Sequence, residues 1–460
     1  MTGSADLLIR GACVLTLDPE VPELPVGDIL ISGGAIAAVA PRLDLPGAEI
    51  VDAAGCVALP GFVDSHWHLW TPLLRGAVDD RPETSWFPQK ARLGPFIRPE
   101  DQEAAVRLSL VEALSAGITT VHDWAHQIND PADADANVRP HLEVRARARF
   151  SYATPSTHPA LTPDQASAVM REAGRSPGDP MDMSDVVRLR ERFADDLLTF
   201  GVALRGPARS SPRVWEREFA EARELGLPIS MHCAGTTEEV ARIRQVEVLA
   251  SAGLLGPDLL LAHCNHVSAQ ERGLIAEHGV HVSMSPLNEV RYARSAPQLS
   301  ELLDAGVEAS FSLDSTAVVP ADPFESMRVA YGHERVRTGR IVPARRLLEL
   351  ATIGGARGLA LADATGSIRA GKRADLSLVR LDRPGTVGTG DPAERIVHSA
   401  RVADVETVLV DGRFAKRDGV MVGCDVAGIV AGAAAAQRRV LERAGDARRD
   451  VARIVATAAR

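Results

Sequence analysis

Residues 62–70 read FVDSHWHLW. An apolar run ends in two histidines one residue apart, with one tryptophan between them and another just after, in a chain whose aromatic content is only 4%. In extended backbone, residues i and i+2 point to the same side. If this run is a strand, the imidazoles of His66 and His68 can therefore converge on one cation at its C-terminal end. Taken alone the pair is equally compatible with a structural or surface role, so partners elsewhere in the chain decide.

The middle of the chain supplies them. Apolar, strand-like runs occur at Val57–Val63, Ile118–Asp123, Arg147–Tyr152, Leu198–Leu204, Pro228–His232, Leu259–His263, Val280–Ser285 and Val307–Leu313. Helical patterns such as PEDQEAAVRLSLVEALSAG and SPRVWEREFAEARELG lie between them. Eight buried strands alternating with helices predict a (β/α)8 TIM barrel, whose chemistry sits at the C-terminal ends of the strands. Four of those ends carry a metal-ligating or titratable side chain: His66 and His68 on the first, then His232, His263 and Asp314. Thirteen histidines scattered over 460 residues would seldom fall this way. Imidazoles with one carboxylate suit Zn²⁺ or Fe²⁺, and the ligand types leave the choice between the two open.

The flanks have a different grammar. LLIRGACVLTL, DILIS and AIAAVA near the start are short strands, the last two joined by Gly33-Gly34, and VETVLVDGRFAKRDG near the end contains a second hairpin signal at Asp411-Gly412. The expected organisation is an α/β protein with a barrel over residues 59–358 and a small β-sandwich domain built from 1–58 plus 359–424. An Ala/Arg-rich helical segment over 425–460 is expected to dock on the barrel or on a partner subunit.

With 51 basic against 61 acidic residues the net charge is −10, which argues against nucleic acid or an anionic membrane surface as the partner. The start, MTGSADLLIRG, lacks the pattern of a secretory signal, and the least polar run, Val426–Ala436, is too short to span a bilayer. Five cysteines without CxxC spacing fit neither a disulfide framework nor a thiolate zinc site. A soluble cytoplasmic protein acting on a small molecule is expected.

The motifs LPGFVDSHWHLWTPLLRG (59–76), GITTVHD (117–123), PISMHC (228–233), LLLAHCNHVS (259–268), FSLDS (311–315) and GSIRAGKRADLSLV (366–379) together resemble the amidohydrolase superfamily. The likeness is to its branch of cytosine deaminases, S-adenosylhomocysteine/methylthioadenosine deaminases and triazine chlorohydrolases. It spans nearly the whole chain. The resemblance implies one divalent metal per chain, Zn²⁺ or alternatively Fe²⁺, held by His66, His68, His232 and Asp314, with His263 and Asp314 as catalysts and a homodimer as the assembly. The fourth strand, LLTFGVALRGP, has no lysine to carry the bridging carbamate of two-metal members. The implied reaction is hydrolytic deamination of an amino-substituted heterocycle by a metal-activated hydroxide, with Asp314 as base.

One departure bears on that reading. Deaminases of this branch carry a glutamate three residues after the fifth-strand histidine, whereas here His232 is followed by Cys233-Ala234-Gly235. Without that proton donor, ordinary adenine- and cytosine-type substrates are expected to react poorly unless Glu238, Glu289 or Asp314 itself substitutes for it. A hydrolase of the same fold with a cyclic amide or another leaving group, and a non-catalytic metal-stabilised binder, are the alternatives. Trp70, His126, Glu238, His266 and Glu289 are the candidate substrate contacts. For Trp70 packing is the competing role, for His266 a place in the core, and for the loop carboxylates solvation or capping. Specificity resides in βα loops such as 79–100 and 154–165, whose sequence follows no readable rule.

Overall fold

The computed structural model describes residues 6–154, 180–292 and 297–458, with the backbone alone at 238, 241 and 446–458. From residue 155 on, the expected substrate loop TPSTHPALTPDQ lies outside the described residues, as does the side chain of Glu238.

Five strands open the chain: β1 (Leu7–Val14), β2 (Leu24–Ser32), β3 (Ala35–Ala40), β4 (Glu49–Asp52) and β5 (Cys56–Pro60). Eight follow between helices: β6 (Phe62–Trp67), β7 (Ile118–Ala125), β8 (Arg147–Tyr152), β9 (Leu198–Leu204), β10 (Ile229–Cys233), β11 (Leu259–His263), β12 (His281–Met284) and β13 (Ala309–Phe311). Four more close it: β14 (Leu376–Arg380), β15 (Val405–Val410), β16 (Arg413–Arg417) and β17 (Val420–Met421).

The strands β6 to β13 lie side by side in sequence order, every neighbouring pair parallel. β6, β7 and β8 are buried along their whole length, as near-continuous apolar strands between two layers must be. This is the (β/α)8 barrel. Its first and last strands share no ladder, and a single backbone bridge between Trp67 and Asp314, together with side chains, holds the seam between them. Ser65 Oγ donates to the Phe311 carbonyl at 3.0 Å and accepts from Ser310 Oγ at 2.7 Å. Ser283, Ser312 and Ser285 continue a buried hydroxyl chain with Oγ–Oγ distances of 2.7–3.0 Å.

The outer strands build a second sheet from both ends of the chain, in the order β17-β16-β15-β14-β5-β1-β2-β3, with β4 beside β1. Its pairs are antiparallel except β1 with β4 and with β5. Ile9, Ile29, Ile36, Ile368, Leu376 and Leu409 meet in its own core. The two expected hairpins are present, with Gly33 and Gly34 at φ +56° and +79° and Asp411 and Gly412 at +54° and +73°. Their turns pack on each other: a Cβ on Gly412 would stand 2.8 Å from Gly34 Cα, so only glycine fits.

The expected first barrel strand, Val57–Val63, is in fact parts of two. Residues 56–60 belong to the separate sheet, antiparallel to β14, and the chain crosses into the barrel at Gly61, whose N–H bonds the Asp375 carbonyl at 2.9 Å. Phe62 N–H then bonds Gly117 on the barrel side at 2.9 Å. A continuous apolar run conceals that crossing because both strands are fully buried.

The helix Val426–Ala458 covers the helix Pro99–Ser115. Ala436, Val440 and Ala444 pack with Leu93 and Ala105, and the buried Asp101 carboxylate accepts from Arg439 at 2.8 and 3.0 Å and from Arg443.

A Cβ at Gly61 would overlap Thr119 Oγ1 and Cγ2 and lie 2.6 Å from Thr119 Cβ. Gly61→Ala should therefore lower unfolding stability by about 1–3 kcal/mol in urea denaturation, as an overpacked core does. Thr119→Ala in the same chain should restore only part of it, because Thr119 Cβ remains too close.

Candidate active site

β6 delivers both histidines into the barrel mouth with ring centroids 4.8 Å apart. Their backbones also close the barrel: the Asp314 N–H donates to the His66 carbonyl at 2.9 Å, and the His68 N–H donates to the Asp314 carbonyl at 2.8 Å. Asp64, buried inside FVDSHWHLW, clamps the same seam. Its Oδ1 accepts from His66 N–H at 3.1 Å and its Oδ2 from Leu313 N–H at 2.8 Å.

These constraints force Asp314 into φ +61°, with the Ser315 N–H reaching back to the Leu313 carbonyl at 2.7 Å. His263, Cys264 and Ala234 are likewise left-handed, at +78°, +55° and +48°. Non-glycine residues in that region carry strain that concentrates at functional sites. Here it turns side chains at three strand ends toward one point. Asp314 Oδ1 lies 3.3 Å from His66 Nε2 and 3.3 Å from His68 Nε2. One potential ligand atom from each of His66, His232, His263 and Asp314 lies within 4.8 Å of the others. The His232 ring stands 4.9 Å from His66 and 5.3 Å from His68, and stacks on His263 at 5.4 Å.

The protonation states suit a cation. Burial pushes His66 down to about 3 and His232 well below the ordinary histidine range, so both rings are neutral at physiological pH. Among the described residues neither ring nitrogen of the fully buried His66 has a hydrogen-bond partner, an unmet demand that a metal ion would satisfy. His68 Nδ1 donates to the Trp124 carbonyl at 2.8 Å, which leaves the Nε2 lone pair free. Burial pushes Asp314 up, but the His66 and His68 imidazoles outweigh it and hold the carboxyl well below its usual range.

His263 is handled differently. Burial pulls it down, but Glu289 and the Asp314 charge prevail and its pKa is raised. Its Nδ1 donates to Glu289 Oε1 at 3.0 Å, and the same oxygen accepts from the Ser285 N–H at 3.0 Å. Glu289 thus stands behind the ring, fixing its orientation. His126 packs edge-on to His68 at 4.0 Å. Its Nδ1 lies 3.5 Å from the Trp70 indole N–H and 3.4 Å from the Trp124 carbonyl, so one tautomer makes either bond but not both. Trp70 is 1% exposed and packs among Leu73, Leu74 and Val78, the packing role. His266 bonds the Ala234 carbonyl through its N–H at 3.2 Å, and its Nε2 is buried without a partner.

Three participants escape a reading of the sequence. Asp64 and Trp124 carry a signal, being a carboxylate and an indole in strands buried along their whole length, where burial demands partners. Lys90 carries none. It comes from the helix Trp86–Leu93 in a loop over the barrel, and burial with the Arg209 charge pushes it down to about 7. Its charge in turn depresses His126.

A model of the amidohydrolase family matches residues 57–415. The 5-methylthioadenosine/S-adenosylhomocysteine deaminase of Halobacterium salinarum is 32% identical over 461 residues, covering 96% of this chain and 100% of the relative. An adenosine deaminase from Xanthomonas campestris with bound zinc superposes with a TM-score of 0.83 at 25% identity, over 95% of this chain and 99% of that one. Atrazine chlorohydrolase from Arthrobacter aurescens complexed with zinc shares the fold, with a TM-score of 0.79 at 24% identity over 94% and 100%.

Asp64→Ala leaves two buried N–H groups without an acceptor and should cost about 2–6 kcal/mol, at roughly 1–3 for each. Asp64→Asn keeps one carbonyl oxygen and should cost about half as much. Urea unfolding of the two variants beside the wild type checks the order.

Proposed function

The chain belongs to the amidohydrolase family, and on that premise we propose that it is a one-metal deaminase, removing the exocyclic amine of a 6-aminopurine nucleoside by hydrolysis. The observation that carries this reading is the gathering of His66, His232 and His263 on Asp314, with neither ring nitrogen of His66 hydrogen-bonded among the described residues. His66, His68, His232 and Asp314 would hold the ion. Zinc is favoured over ferrous iron because the similar deaminase and chlorohydrolase structures hold zinc. When bound, the ion acidifies a water and stabilises charge developing on oxygen.

The chain's own groups divide the remaining work. Asp314, held as a carboxylate, accepts the proton of the attacking water on Oδ2, because Oδ1 lies 3.3 Å from both His66 Nε2 and His68 Nε2. His263 presents Nε2 to the oxygen added to the ring carbon, because Glu289 occupies Nδ1. With its raised pKa it donates there a hydrogen bond that strengthens as negative charge builds. The names of the relatives support an amine as the leaving group over a cyclic amide or a halide. No helix among the described residues is long and apolar enough to cross a membrane. The same reading places the enzyme in the reducing cytoplasm, supported by its free cysteines, and in a homodimer, for which the exposed Val426, Val430 and Leu441 of the C-terminal helix offer an apolar face.

Elemental analysis should find about one zinc per chain, and a reproducible value near two would overturn the one-metal site. Ammonia release and the mass change of adenosine or 5′-methylthioadenosine test the reaction directly. Asp314→Asn should abolish turnover while leaving the fold largely intact. His263→Asn should lower turnover by about 10²–10³-fold with the metal retained. Loss of metal from His263→Asn but not from His232→Asn would exchange their roles.

A further inference from the structure

Gly235 stands where the resemblance to the deaminase branch implies a proton-donating glutamate. Its backbone is not left-handed, and a Cβ built on it would meet nothing nearer than His263 Cδ2 at 3.6 Å and Glu239 Oε2 at 3.8 Å. Backbone conformation and space therefore do not require glycine here, and the opening faces both the His263 ring and another carboxylate.

Glu239 belongs to the short helix Thr237–Arg242, where the Thr236 hydroxyl accepts its N–H at 3.2 Å and fixes the turn. Its side chain is turned inward and is 9% exposed. Oε2 accepts the Gly235 N–H at 3.2 Å, whereas Oε1 is buried with no partner among the described residues. A buried carboxyl oxygen is costly to leave without a hydrogen bond, and on a side chain whose other oxygen borders the open space at Gly235 it calls for a ligand to complete it. Glu289 is placed otherwise, with Oε1 already shared between His263 Nδ1 and the Ser285 N–H behind the ring.

We propose that Glu239 is the acid that protonates the substrate ring, reaching from the next helical turn into the space that Gly235 leaves open. The assignment rests on the deaminase reading. As the C–O bond forms and the ring C=N becomes a single bond, the Glu239 carboxyl gives its proton to the nitrogen beside the attacked carbon. The first proton of the water passes to Asp314 and from there to the exocyclic amine, which leaves as ammonia with the C–N electron pair. The oxygen's remaining proton returns to Glu239 as the carbonyl forms. The two protons of one water thus end on the ring nitrogen and in ammonia, and nothing is oxidised or reduced.

The test compares the zinc-loaded wild type with Glu239→Gln, Gly235→Glu and the double variant. Glutamine still accepts the residue-235 N–H, so the loop is kept while the acid is lost. With adenosine, Glu239→Gln should lower kcat by about 10²–10⁴-fold with little change in KM, the usual worth of general acid catalysis, and Gly235→Glu in the same chain should restore part of it. A second readout needs no turnover. Purine riboside has no amine to lose and binds as a hydrate that requires a proton on the ring nitrogen, so its affinity by calorimetry should fall in Glu239→Gln while that of inosine stays unchanged. Wild-type kcat in Glu239→Gln overturns the assignment and leaves the deaminase reading standing. If the wild type releases no ammonia, the deaminase reading fails by itself. Weaker purine riboside binding by Glu239→Gln would then still support Glu239 as a ring contact, and equal binding would remove it.

Discussion

The bond from the Asp314 N–H to the His66 carbonyl does two jobs at once. It joins the last barrel strand to the first, where no ladder exists, and it sets the His66 and Asp314 side chains at a fixed separation. Asp64 and the serine chain through Ser65 reinforce the same seam. Closing the barrel and assembling the site are therefore one event. The strained backbone of Asp314 is maintained because Leu313 before it is tied to Asp64 of β6 and Thr316 after it to Thr71, just past that strand.

Within this frame, small differences of surroundings assign different chemistry to similar side chains. His66, His68, His232 and His263 crowd into a few ångströms. Burial makes His66 and His232 neutral, and the Trp124 carbonyl selects the tautomer of His68. His263 instead has the Glu289 carboxylate behind its ring, and its pKa is raised. On the proposed reading Glu289 thus separates a hydrogen-bond donor from ligands, a separation of roles by environment.

Much of this was legible in the chain itself, because parallel strands buried on both faces leave long apolar runs and barrel chemistry sits at their C-terminal ends. The strand-end residues His66, His68, His232, His263 and Asp314 stand out on that rule alone, and the two glycine-containing hairpins follow from turn geometry. What the sequence concealed depends on contacts between distant segments. The crossing at Gly61 is set by Thr119 on the neighbouring strand, and Lys90 is placed by a long loop. The two adjacent glutamates after Thr236 look alike as letters. The Thr236 cap fixes the phase of the turn and so brings Glu239 inward.

The composite outer sheet also constrains how the molecule is made. β5 lies between β1, near the start, and β14, more than 300 residues later. A chain emerging from the ribosome at about 5–20 residues per second must therefore hold β5 half-paired until β14 appears, tens of seconds later. The metal site meets an earlier deadline, since Asp314 emerges before β14 does. On the proposed one-metal reading, an ion could be captured while the outer sheet is still open, and it would then brace the seam between β13 and β6. Supply of metal during translation would in that case affect folding as well as activity, and starvation for it would show as aggregated chains beside inactive ones.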